Sequence, residues 1–91
     1  MITRKHINMI REAKNKIMPE AKGFIFGSSL KSNHFRDVDI GLMNLKNKTQ
    51  ILKLQELLEN STFPYIIDIV DFEEVEKSFA EKIFNEKILW I

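Results

Sequence analysis

Between residues 3 and 18 apolar side chains recur every three to four positions. Ile7, Ile10, Ala13 and Ile17 share one side, and polar residues fill the other. That period predicts an amphipathic helix. Thr3 stands where an N-cap belongs, and Pro19 marks the stop, because proline disfavours helical backbone in the residue before it. Residues 22–26, KGFIF, are a short apolar run and predict a buried strand, which Gly27-Ser28-Ser29 breaks. Residues 30–36 are polar and predict a loop, with one helical turn near Ser29–Lys31. Residues 37–43, DVDIGLM, alternate. Asp37, Asp39 and Gly41 fall on one strand face, and Val38, Ile40 and Leu42 on the other.

After a polar connection at 44–48, residues 49–60 predict a second helix with Thr49 as N-cap and a stripe of Ile51, Leu54, Leu57 and Leu58. Ser61-Thr62-Phe63-Pro64 is a turn. Residues 65–70, YIIDIV, are rich in β-branched side chains and predict a third strand. Asp71 with Glu74 three residues on resembles a capping box for a last helix over roughly 72–85, burying Phe72, Val75, Phe79 and Ile83. The apolar tail 88–91 fits an edge strand or a partner contact. The order α-β-β-α-β-α, with a final β, predicts one α/β (α+β) domain over 1–91, a small mixed β-sheet with flanking helices.

Composition narrows the function classes. The chain has no cysteine, which excludes disulfides, thiolate zinc sites and cysteine nucleophiles and fits a cytoplasmic location. With 14 basic and 13 acidic residues the net charge is +1, so charge does not indicate nucleic acid as a partner. The apolar runs are far shorter than the roughly 20 residues that span a bilayer, so no membrane association is expected. No signal peptide is expected either.

The chemistry lies in the acidic residues. Asp37 and Asp39 share a face of an otherwise apolar strand, where they repel each other unless a cation or hydrogen-bond donors intervene. An isolated Asp-x-Asp pair is commonly just solvated at a strand end. Asp68 strengthens the case, since every neighbour in YIIDIV prefers burial. Its simpler role would be to start a turn or cap the next helix, a task for which Asp71 is better placed. Three carboxylates on one sheet face suit magnesium and in-line displacement at phosphorus. Gly27-Ser28, straight after a strand, can aim backbone N–H groups and a hydroxyl at a phosphate. Lys31, His34 and Arg36 in the following loop could contact phosphates or an acidic partner, or be solvated. His6 reads as a surface residue. Tyr65 reads as sheet packing or a base-stacking ring, and Trp90 as core or an interface anchor.

The stretches FIFGSSLKSNHFRDVDIGLM and YIIDIVDFEEVEKSFAEKIFNEKILWI resemble the minimal nucleotidyltransferases of the DNA polymerase beta superfamily. Their pattern is a Gly-Ser turn, a polar loop, Asp-x-Asp on the next strand and a third Asp on a later one. The resemblance implies transfer of a nucleoside monophosphate from ATP or another NTP, AMP in the case of ATP, to an acceptor with release of pyrophosphate. Asp37, Asp39 and Asp68 would be the catalytic, metal-holding residues for two Mg2+ ions, and Gly27, Ser28 and Ser29 would bind the nucleotide. Ser29 stands where many members carry arginine, Arg36 stands where a small residue is usual, and the Ser28–Asp37 loop is short, with eight residues between them. These departures leave open a degenerate member that acts by binding alone. The small stand-alone members resemble antitoxins that pair with helical HEPN-type toxins, in some cases modifying them. The resemblance therefore implies such a partner, or a second copy of the chain in a homo-oligomer, to complete the site.

Overall fold

The computed structural model describes residues Met1–Ile91. The elements run α1 (Arg4–Ile17), β1 (Lys22–Phe26), a single 3₁₀ turn (Ser28–Leu30), β2 (Asp37–Met43), α2 (Thr49–Glu59), β3 (Ile66–Asp71), α3 (Lys77–Phe84) and β4 (Leu89–Trp90). The sheet order is β3-β2-β1-β4. β1 is antiparallel to both β2 and β4, and β2 runs parallel to β3. The parallel pair needs a crossover, which α2 supplies. The expected α+β sandwich and the last edge strand are both present.

Alternation along the strands sorts their side chains into two cores. Ile25, Val38, Ile40, Leu42 and Ile67 meet Ile10 and Ala13 of α1 and Leu54 and Leu58 of α2. On the other face Phe24 and Phe26 meet Phe72 and Ile83, so α3 lies there. Ile10 and Leu54 are fully buried. Truncating either to alanine should cost about 2–5 kcal/mol.

The second face also carries the acidic residues, and at Gly41 it is packed to the limit. Phe24 is fully buried and lies opposite Gly41 in the register. A Cβ at Gly41 would overlap the tip of the Phe24 ring and stand 2.7 Å from both ε carbons. The ring cannot swing away, because Phe72, Phe84 and Trp90 surround it with centroids 4.8, 5.2 and 5.3 Å distant. Gly41→Ala is expected to destabilise the fold by about 1–3 kcal/mol, as overpacking does. Urea titration measures this, and an unchanged midpoint would contradict the packing argument.

Four local expectations are corrected. Thr3 occupies the N-cap position, but its hydroxyl makes no cap hydrogen bond and pairs with His6 Nδ1 at 3.1 Å. Asn47, not Thr49, caps the start of α2: its Oδ1 accepts the Thr49 N–H at 2.9 Å. Asp71 does not open a helix over 72–85. The Phe72 N–H donates to Leu42 O at 2.9 Å, which closes the β2–β3 ladder and holds the chain extended through Asp71. Asp71 Oδ1 then accepts the Glu73 N–H, Glu74 turns to Lys48 instead of a capping box, and α3 starts only at Lys77. Starting there, α3 leaves Phe79 39% exposed, outside the core where it was expected. Nor is His6 a free surface residue: it is half-buried, edge-on to Phe63 and Tyr65 at 5.8 and 5.3 Å.

Candidate active site

Two strands and one turn assemble the site. In β2, Asp37 and Asp39 project from the same face, with Asp37 exposed and Asp39 half-buried. Parallel pairing sets Asp39 directly beside Asp68 of β3. Residues in register on neighbouring strands share a face and sit about 5 Å apart, so Asp68 joins the pair. Antiparallel pairing sets Phe26 beside Asp39 on the other side, which brings the turn after β1 against the same carboxylate.

That turn requires glycine. Gly27 has φ 85 and ψ −157, backbone that side chains with a Cβ rarely adopt. Its missing Cβ also makes room: an atom there would overlap Asp39 Oδ2. The Asp39 carboxylate is therefore seated against the Gly27 backbone. The 3₁₀ turn that follows is closed by Leu30 N–H to Gly27 O at 3.1 Å and Lys31 N–H to Ser28 O at 3.0 Å. The amides of Ser28 and Ser29 lead the turn, at positions where no intrahelical acceptor exists. The Ser29 carbonyl accepts the Ile2 N–H at 2.7 Å and ties the chain's start to the turn.

The electrostatics match the crowding. The Asp39 carboxyl is held above the usual carboxylate range, first by burial and then by the charges of Asp68 and Asp37. The cluster resists its own full ionisation, and a cation would relieve it. The donors are all carboxylate oxygens, which suits a magnesium-type ion. As they stand the side chains do not converge into a closed cage of three ligands. Magnesium does not need one, because it keeps waters and takes ligands from substrate phosphates. The residues thus fit such an ion in donor chemistry and in register. His34 is an exposed loop residue.

Ser28 and Ser29 part company. Ser28 is exposed, whereas Ser29 is fully buried and its Oγ has no hydrogen-bond partner. The Ser29 hydroxyl is thus turned into the protein, away from the surface of the turn. An unpartnered buried hydroxyl carries a desolvation cost of about 1–3 kcal/mol. Ser29→Ala is therefore expected to raise the melting temperature and leave nucleotide affinity within twofold. A drop in affinity would mean that the hydroxyl rotates out to meet phosphate. Lys31 is engaged with Glu86 at 2.8 Å.

The sequence profile described as "Polymerase beta, Nucleotidyltransferase" matches residues 6–91. The chain belongs to the polymerase beta nucleotidyltransferase family. The match covers both strands of the carboxylate site and the turn, and it supports nucleotidyl transfer as the general function. No curated protein matches the chain. No helix is long and apolar enough to cross a membrane. The family's chemistry falls on an open surface here. The largest cavity, about 450 Å³, lies at the start of β1 beside Lys14, Lys22 and Trp90, and no cavity includes an aspartate of the triad.

Proposed function

We propose that this nucleotidyltransferase moves AMP from ATP to a hydroxyl on a partner protein, with a HEPN-type helical protein as the acceptor. The observation that carries the reading is the register of Asp39 beside Asp68 with Gly27 seated on the Asp39 carboxylate. This juxtaposition of a glycine turn with the carboxylates is what a triphosphate and its magnesium ions would need, and it supports the reading. Asp37 and Asp39 would hold two magnesium ions and Asp68 the one nearer the acceptor, and bound magnesium would neutralise the triphosphate. The turn's amides and Ser28 would orient that triphosphate. The acceptor oxygen forms a bond to the α-phosphorus. The bond from that phosphorus to the bridging oxygen breaks, and pyrophosphate departs with the electron pair. The hydroxyl proton passes toward Asp68 and on to solvent. Such catalysis rests on positioning and charge neutralisation.

The inward-facing Ser29 favours a second reading, in which the fold neutralises its partner by contact alone. Labelled ATP, magnesium and candidate partner protein separate the two. The first reading expects label on the partner that is lost with Asp37→Asn. Tight binding without label, unaffected by that substitution, would establish the second.

A further inference from the structure

β3 is an edge of the sheet, and one side of it has no partner strand. The hydrogen bonds Ile66 N–H to Arg36 O and Phe72 N–H to Leu42 O bracket its ladder with β2. In a parallel ladder alternate residues bond to the neighbour. Residues 66, 68, 70 and 72 therefore face β2, and Ile67, Ile69 and Asp71 turn their N–H groups outward. The outward row runs beside Asp68. Alternation puts Ile66, Asp68 and Val70 on the acidic face of that same edge, and Ile66 is 64% exposed.

We propose that the acceptor docks by adding an extended polypeptide segment to the free edge of β3, with a hydroxyl-bearing side chain beside Asp68. The proposal rests on the transfer reading above and names how its substrate is held. Strand addition pairs the outward amides, and alternate side chains carry the specificity. The pattern that fits is apolar beside Ile66, hydroxyl beside Asp68 and apolar beside Val70 on one face, with basic residues at the intervening positions, which project to the α2 side of the sheet that carries Glu56, Glu59 and Asp71.

Charge selects the occupant. From mid-α2 through β3 to the start of α3, residues 54–76 contain seven acidic residues and no lysine or arginine, Lys48 is paired with Glu74, and Arg36, beside Ile66 at one end of the strand, is the basic residue at this edge. A nucleic acid strand would meet this face with like charge and gain nothing from outward N–H and C=O groups in strand spacing. A second copy joined edge to edge would bring one Asp68 toward the other, and facing like charges weaken a sheet. A polypeptide with basic residues complements both the charge and the backbone.

The test adds acetyl-Val-Lys-Thr-Lys-Val-amide to the ¹⁵N-labelled full chain. The Ile67, Ile69 and Asp71 amide resonances should shift, and their hydrogen exchange should slow by about tenfold at saturation. Alternate amides of the peptide face the edge. Of two N-methylated forms, one at both lysines and one at threonine and the second valine, one must therefore lose the effect. Equal binding by both forms overturns the proposal. So does an undisturbed β3, a response to oligothymidylate in place of the peptide, or dimerisation through these amides. MgATP added alone reports separately on Gly27, Ser28 and Asp39. Its failure with an intact peptide response would count against the transfer reading and leave the edge site standing.

Discussion

Asp39→Asn should abolish nucleotidyl transfer and, at neutral pH, make the protein more stable. Activity should fall by about a thousandfold or more if Asp39 has the metal-holding role proposed for it, since such a carboxylate supports several kcal/mol of charge stabilisation. The stability gain has a different origin. Burial and the charges of Asp68 and Asp37 raise the Asp39 pKa in the fold. The folded chain then holds that proton to a higher pH than the unfolded chain does, so stability declines as pH rises between the two values. Above the raised pKa the ionised Asp39 costs the fold its full repulsion and desolvation. Asparagine removes that cost and keeps the shape. The melting temperature of the variant should exceed that of the native chain by a few degrees at pH 7. The two should converge as pH falls below the ordinary carboxylate range, where Asp39 is protonated in both states. Added magnesium and ATP should stabilise the native chain and not the variant. A variant less stable than the native chain at pH 7 would show that Asp39 serves the fold and that the crowding argument fails.

The frame of this site is legible in the sequence because its physics is local. Alternation in DVDIGLM puts Asp37 and Asp39 on one face, and the β-branched run around Asp68 marks a strand whatever surrounds it. The family resemblance supplied what alternation alone lacks, the reason to set those strands side by side. Features that depend on contacts distant in sequence were hidden. No local pattern shows that Phe72 stays in the ladder through Leu42, so Asp71 reads as a helix cap when it closes a strand. Thr49 is a sound N-cap by residue type, yet Asn47 reaches the amide first. The Gly41 vacancy exists only because Phe24 crosses to it from β1. Gly-Ser-Ser likewise offers two similar hydroxyls. Only the tertiary fold turns that of Ser29 inward and leaves that of Ser28 exposed.

Gly27→Ala should damage both stability and catalysis, through two separable causes. The first is conformational. Gly27 has φ 85 and ψ −157, a region that is nearly glycine-only, where a residue with a Cβ bears about 1–3 kcal/mol of strain. For a domain of this size each kcal/mol lowers the melting temperature by about 4–8 °C. The second is steric and specific to the site. The new methyl would overlap Asp39 Oδ2, so the carboxylate must leave its seat. A misplacement of about 1 Å in a reacting constellation can cost about a hundredfold in rate. Asp39→Ala provides the discriminating background, because it removes the carboxylate and leaves the Gly27 backbone as it is. In that background Gly27→Ala should retain its conformational penalty and lose the steric one. The stability effects of the two substitutions should therefore be non-additive, with the double variant more stable than the single effects predict. Strict additivity would mean that Asp39 moves aside freely, and the turn would then have no hold on the carboxylate it touches.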